Sequence, residues 1–181
     1  MKRLLKSALL LGVVGLTGYG VVVHGLSYQV VGFRPAPPPL DHPHLAALQT
    51  RLQLASGNAP TPATLRQFAL TQTARCLHFA WKRNALTDPN KIVEGRQAHC
   101  KMYAYVVAAT YNQLARQRHW PASCRVAYGH VYLYGVSLHQ FLPGTFCRDH
   151  DFCVFADEHG AYAADATLYD YFWVERIRLR T

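Results

Sequence analysis

Three side chains in the second half of the chain have the types that thiol catalysis uses. Cys100 stands at the predicted start of a helix, His150 at the predicted start of a strand, and Asp165 at the end of the next strand. A helix N-terminus stabilises a thiolate, and its free N–H groups stabilise the oxyanion formed when sulfur attacks a carbonyl carbon. The position of Cys100 therefore predicts a cysteine nucleophile, and the alternative for Cys100 taken alone is a buried structural thiol.

The pairing of the histidine with the aspartate follows from the register of a predicted hairpin. A two-residue loop at 158–159 places Phe152 opposite Asp165, and His150 then lies two residues along on the same face. Diagonal neighbours of this kind are roughly 7–8 Å apart between backbones, so their side chains can meet. A histidine held by a carboxylate is the base and orienter of a catalytic triad. The alternatives are a histidine on the sheet surface and an aspartate in a turn or cap.

The elements that must position these side chains are helices followed by strands. Apolar spacing and capping residues predict helices over residues 44–56, 61–82 and 98–118, with a loop over 84–97. Alternation and β-branched or aromatic residues predict strands over 125–138, 150–155, 161–166 and 173–180. The expected fold is therefore α+β, with helices packed on an antiparallel sheet.

The N-terminus predicts a membrane anchor or a signal segment. Lys2, Arg3 and Lys6 precede residues 7–23, which carry no charge, and the uncharged run extends through residue 31. This length suits a membrane-spanning helix, and the basic residues ahead of it favour a cytoplasmic N-terminus. A cleaved signal peptide is the alternative. Either interpretation places the rest of the chain outside the cytoplasm, on the periplasmic or cell-surface side.

Proline content sets the expected domain boundaries. Five of the ten prolines fall between Pro35 and Pro43, which favours a stiff, extended spacer. The expected organisation is an anchor or signal over 1–31, a proline-rich linker over 32–43 and one domain over 44–181.

The net charge of +9 is spread along the chain without a run of Lys or Arg, so nucleic acid is not an expected partner.

The four remaining cysteines predict disulfides. An even number of cysteines in an exported domain suggests two bridges among Cys76, Cys124, Cys147 and Cys153, whose pairing stays open. The spacing of Cys147, His150 and Cys153 also resembles a zinc site, but Cys153 would point away from His150 along a strand. No metal or cofactor is therefore expected.

Other residues compete for roles in catalysis. His99 adjoins Cys100 but should point about 100° away from it on a helix, which makes it a poor base. His130 and His139 have no suitably placed aspartate. Gln97 is a candidate oxyanion donor, with an ordinary loop residue as the alternative.

Several segments resemble the transglutaminase-like superfamily. Residues 100–104 (Cys-Lys-Met-Tyr-Ala), with the apolar helix that follows and Val-Ala-Tyr-Gly at 126–129, look like its nucleophile helix and next strand. His-Asp-Phe at 150–152 looks like its histidine strand, and residues 160–167 look like its strand ending in Asp-x-Thr. The resemblance implies a papain-like fold and acyl transfer through a thioester.

By this resemblance Cys100 is the nucleophile, His150 the base and acid, and Asp165 the orienter. The expected function is an extracytoplasmic cysteine hydrolase or acyltransferase that acts on a peptide or amide bond of a protein or peptide substrate. Two alternatives stay open: a catalytically inactive binding module of the same fold, and a disulfide-stapled envelope protein at the membrane.

Overall fold

The chain folds as five helices and eight strands within the residues that the structure, a computed structural model, describes: 20, 23–56, 60–81, 86–141, 149–157 and 160–180. The predicted α+β class is confirmed. In chain order the elements are β1 (Leu26–Phe33), α1 (His42–Ser56), α2 (Pro62–Cys76), β2 (His78–Phe79), α3 (Pro89–Gly95), β3 (Gln97–Ala98), α4 (Cys100–Gln117), β4 (Ser123–Leu133), β5 (Val136–Ser137), a 3-10 turn (Leu138–Gln140), β6 (His150–Asp157), β7 (Gly160–Ala164), α5 (Ala166–Phe172) and β8 (Arg178–Arg180).

The main sheet is mixed rather than purely antiparallel, which corrects the expectation. Its strand order is β7-β6-β4-β1-β8, with β5 paired to β4. Strand β8 runs parallel to β1, with Ser27 opposite Arg178, and the other pairs are antiparallel. A bridge between Ala163 and Ile177 links the two outer strands, so the sheet nearly closes into a barrel.

Strand β1 corrects the expected domain boundaries. Residues 26–31 were expected to belong to an anchor, but they lie inside the sheet between β4 and β8. Leu26 and Tyr28 are buried, and Val30 is partly buried on the same face. A short apolar stretch satisfies a bilayer and a sheet interior equally well, so hydropathy alone does not distinguish them. The folded domain therefore includes β1 and does not begin at residue 44.

The proline-rich segment packs against the domain. The Leu40 amide donates to Gln113 Oε1 at 2.8 Å, and Asn90 Nδ2 donates to the Pro39 carbonyl at 3.3 Å. The segment is thus a packed connection rather than a spacer that extends away from the fold. Within the described ranges no helix is long and apolar enough to cross a membrane. Most of the predicted anchor, at 1–19 and 21–22, lies outside those ranges.

A glycine permits the close approach of β1 to β4. Gly129 pairs with Val30, next to a register shift between Val30 and Gly32. A Cβ atom on Gly129 would lie 1.8 Å from the backbone carbonyl oxygen of Gln29. Only glycine fits there without moving one of the two strands.

Helices α2, α3 and α4 agree only in part with the helices and the loop predicted for residues 61–118. Helix α2 begins at the predicted cap, where Thr61 and Thr64 form a capping box, but it ends at Cys76 rather than near 82. The chain turns there into β2, which pairs with β3. The predicted loop over 84–97 instead contains α3, which Asp88 caps at its start. Helix α4 occupies the predicted region and packs its apolar face on β4 and β6.

Candidate active site

The structure brings the predicted histidine and aspartate into contact. His150 Nε2 lies 2.5 Å from Asp165 Oδ2. Strands β6 and β7 have the predicted register, with Asp157 opposite Gly160. The Asp165 side chain is 2% exposed and that of His150 is 23% exposed. The hairpin therefore brings the two side chains into contact, as the register predicted. The carboxylate of the pair is buried, and the imidazole still reaches the surface.

Both oxygens of Asp165 are held by donors. Oδ1 accepts hydrogen bonds from the backbone N–H groups of Thr167 at 2.8 Å and Leu168 at 3.3 Å, so the carboxylate also caps α5. Oδ2 accepts a hydrogen bond of 2.6 Å from the Tyr28 hydroxyl, besides its contact with His150. Burial raises the pKa of Asp165, but the attraction of His150 and these hydrogen bonds outweigh it and lower the pKa. The group is a fixed anion.

The ring of His150 is oriented towards the sulfur. Asp165 occupies Nε2, so Nδ1 is the nitrogen left for the hydrogen bond between the His150 side chain and Cys100. Tyr28 packs edge-on to the ring, with centroids 5.8 Å apart. Burial lowers the pKa of His150, but Asp165 and Cys100 outweigh it and raise the pKa well above its ordinary value. The protonated imidazole is therefore favoured.

Cys100 is the first residue of α4 and is half-buried. Burial raises the pKa of its thiol, but hydrogen bonds from the side chains of His150 and His99, the charge of His150 and the backbone N–H of Asp151 lower it to about 6. The start of a helix also favours the anion. Above about pH 6 the site therefore holds a thiolate beside an imidazolium, which is the form of a thiol that attacks electrophilic carbon.

Tyr28 is a site residue that sequence reasoning missed. It is 1% exposed, and it contacts Asp165, His150 and Phe152 from β1. Burial, followed by the charge of Asp165, raises the pKa of Tyr28 well above its ordinary value, so the hydroxyl stays a donor. The available signal was the alternation of Leu26, Tyr28 and Val30 with polar residues, which is typical of a strand rather than of a membrane helix.

Arg34 is a second missed residue, and it acts on the neighbour of the histidine. Its Nε donates to Asp151 Oδ1 at 2.7 Å, and its guanidinium lies over the Tyr128 ring at 4.3 Å. Asp151 is the residue whose backbone N–H contacts Cys100. The ion pair therefore fixes the start of β6, and with it the Asp151 backbone N–H that contacts the Cys100 sulfur.

The rival residues have different outcomes. His99 occupies the N-cap position of α4 and is buried. Its side chain forms a hydrogen bond with Cys100, so the expectation that His99 points away from Cys100 is wrong. The rings of His130 and His139 lie 5.3 Å apart as a pair of their own. Gln97 lies in β3 and is exposed.

The expected disulfides are not formed among the described residues. Cys76, Cys124 and Cys153 are free thiols, and Cys147 lies outside the described residues. Cys124 and Cys153 are buried on neighbouring strands with a hydrogen bond between their side chains, whereas Cys76 ends α2. This corrects the prediction of two bridges, because two bridges require all four thiols.

The residues considered for zinc are divided between two faces of β6. Cys153 Sγ contacts the Ala104 carbonyl at 3.5 Å on the α4 side, whereas His150 faces Asp165. In the part of the chain that the structure describes, no group of three or more metal-ligating side chains is assembled.

No family model, no curated protein and no solved structure matches the chain. The reactions that the site could catalyse are therefore inferred from the geometry of the site alone.

Proposed function

We propose that the chain is a cysteine hydrolase or acyltransferase that acts on a peptide or amide bond through a thioester. One observation carries the proposal: Cys100, His150 and Asp165 form a connected chain of contacts at the start of α4, and the pKa of the thiol is lowered to about 6. A thiol that serves only as packing gains nothing from an imidazole that a buried carboxylate orients. The same three residues are those that the resemblance to the transglutaminase-like superfamily implies.

In the first half of the proposed reaction, the Cys100 thiolate attacks the carbonyl carbon and a C–S bond forms. The negative charge moves to the carbonyl oxygen, for which free N–H groups at the first turn of α4 are candidate donors. The His150 imidazolium then gives its proton to the leaving nitrogen. The C–N bond breaks, an amine departs, and a thioester and a neutral imidazole remain.

In the second half, neutral His150 removes a proton from water or from an acceptor amine. The resulting nucleophile attacks the thioester carbon, the C–S bond breaks, and Cys100 leaves as a thiolate beside a protonated His150. Water gives a carboxylic acid, and an amine gives a new amide. Asp165 forms no bond in either half, because its role is to hold the ring and its tautomer.

The proposed location is the outer side of a membrane, with a protein or peptide as substrate. It is supported by the basic residues before the uncharged stretch at 7–23. A reporter that folds only outside the cytoplasm, fused after Thr181, should be active. A reporter that is active only on the cytoplasmic side would contradict this location.

The proposed chemistry is tested with a peptide vinyl sulfone, an electrophile that a catalytic thiolate captures. Intact-mass measurement of the full chain should give one adduct, at Cys100, and the adduct should be lost in Cys100→Ala. Cys76→Ala is the matched control, because Cys76 is the other half-buried free thiol among the described residues. Equal labelling of Cys76 and Cys100, or unchanged labelling in His150→Ala, would argue against the proposal.

A further inference from the structure

A cavity lies away from the candidate active site, between α1, α2, α3 and α4. Its volume is about 500 Å³, and its lining does not include Cys100, His150 or Asp165. The nearest lining residue on α4 is Val106, six positions after Cys100 and therefore about 9 Å along the helix axis. Cavities of roughly 300–1,000 Å³ are the usual size for small-molecule sites.

The charges at this cavity are mainly positive and lie on exposed side chains. Arg51, Arg75 and Arg96 line it, whereas Glu94 is its only acidic lining residue among those the structure describes. Arg51 donates to Gln72 at 3.2 Å, but Arg75, Arg96 and Glu94 make no ion pair with any described residue. Three guanidinium groups against one carboxylate leave two positive charges in excess. This balance fits a dianion.

The lining of the cavity includes an apolar surface and one buried hydroxyl that has no partner among the described residues. Thr73 is 1% exposed, and its hydroxyl has no hydrogen-bond partner among the described residues. A threonine inside a helix ordinarily bonds a carbonyl of the preceding turn, so the Thr73 hydroxyl lacks its ordinary partner, and a ligand reaches it by displacing the atoms that cover it. Leu40, Leu48 and Val106 supply apolar lining beside it. The ligand therefore needs an apolar body as well as charge.

We propose that this cavity binds an organic phosphate, meaning a phosphate monoester on an apolar group. A phosphate monoester carries about −1.5 to −2 charges at pH 7, which matches the excess of positive charge. Guanidinium groups bind phosphate oxygens in pairs, and the Thr73 hydroxyl supplies a further donor. This site is independent of the proposed function, since it shares no lining residue with the triad.

Calorimetric titration of the full chain with phenyl phosphate tests the proposal, with inorganic phosphate and phenol as partial ligands. Phenyl phosphate should bind one to one and more tightly than either part. Arg75→Gln combined with Arg96→Gln should weaken it at least about tenfold. The control with the same change in charge combines Arg116→Gln with Arg178→Gln, which lie outside the cavity and should leave binding unchanged.

Thr73→Val removes the unpartnered hydroxyl while keeping the shape of the side chain, and it should weaken binding about threefold. Unchanged affinity in Thr73→Val or in the cavity arginine variant, or equal loss in the control variant, would overturn the proposal. Dihexanoyl phosphatidate then distinguishes two sources of the same chemistry. Tighter binding than phenyl phosphate identifies a lipid headgroup, and weaker binding identifies a free monoester.

Discussion

The hydroxyl of Tyr28 donates a 2.6 Å hydrogen bond to Asp165 Oδ2, which joins the first strand of the sheet to the residue that orients the histidine. The bond is buried and spans 137 positions of the chain. The same oxygen contacts His150, so the tyrosine and the histidine hold one carboxylate oxygen together. The geometry of the site therefore depends on β1 as much as on the hairpin.

Tyr28→Phe should lower the free energy of unfolding by about 2 kcal/mol, because it leaves a buried carboxylate oxygen with one donor fewer. Urea unfolding measures the change. Tyr132→Phe is the matched control: Tyr132 donates to the neutral amide oxygen of Gln29 at 2.7 Å and should cost about 1 kcal/mol. Equal losses in the two variants would show that the charge of Asp165 adds nothing to the Tyr28 bond.

The rate of Cys100 alkylation by iodoacetamide should rise with pH through a midpoint of about 6, because the thiolate is the reactive form. In His150→Ala the midpoint should move towards the ordinary thiol value of about 8.5. Stopped samples analysed by intact mass give the rates. Turnover should add an alkaline limb, since His150 must be protonated to release the leaving group and its pKa is raised well above its ordinary value. Superimposable alkylation profiles in the two proteins would contradict the thiolate–imidazolium pair.

Asp165→Asn and Asp165→Ala should separate two roles of one side chain. Asparagine can still accept from the Thr167 and Leu168 amides, so the cap of α5 should persist and stability should fall less than in Asp165→Ala. Both variants lose the negative charge that holds His150, so both should move the alkylation midpoint above about 6. Urea unfolding and the alkylation profile are measured on the same samples. An asparagine variant with the original midpoint would show that charge on Asp165 is not needed.

A chain shortened to residues 23–181 should fold, whereas one shortened to 44–181 should not. The longer version keeps β1, which lies between β4 and β8, and the shorter version removes it together with Tyr28. Far-ultraviolet circular dichroism and thermal unfolding compare the two. A cooperative unfolding transition in 44–181 would restore the boundary expected from the proline-rich segment.

The sequence predicted most of what is local in this fold. Two predicted strands joined by a tight turn with a two-residue loop specified the hairpin, and its register brought His150 to Asp165. The capping pattern at Thr61 likewise marked the start of α2. Local signals of this kind depend on residues close in the chain, so they are readable without the tertiary structure.

What the sequence did not predict depends on distant segments. Tyr28 reaches Asp165 only because β1 enters between β4 and β8, and no local pattern encodes that insertion. The contact of His99 with Cys100 was missed because helical spacing was applied to a residue that lies before the helix, in an extended conformation. The cavity between the helices depends on how four separate helices pack, which spacing within each helix does not determine.

The contacts of β1 with residues far along the chain also determine when the Cys100 site becomes reactive during synthesis. The Tyr28 hydroxyl finds its partner only after Asp165 has left the ribosome, and Ser27 finds its partner only after Arg178 has left it. Contacts of such long sequence separation form late and slowly. A nascent chain therefore carries Cys100 as an ordinary, weakly reactive thiol until His150 and Asp165 have emerged and packed against it.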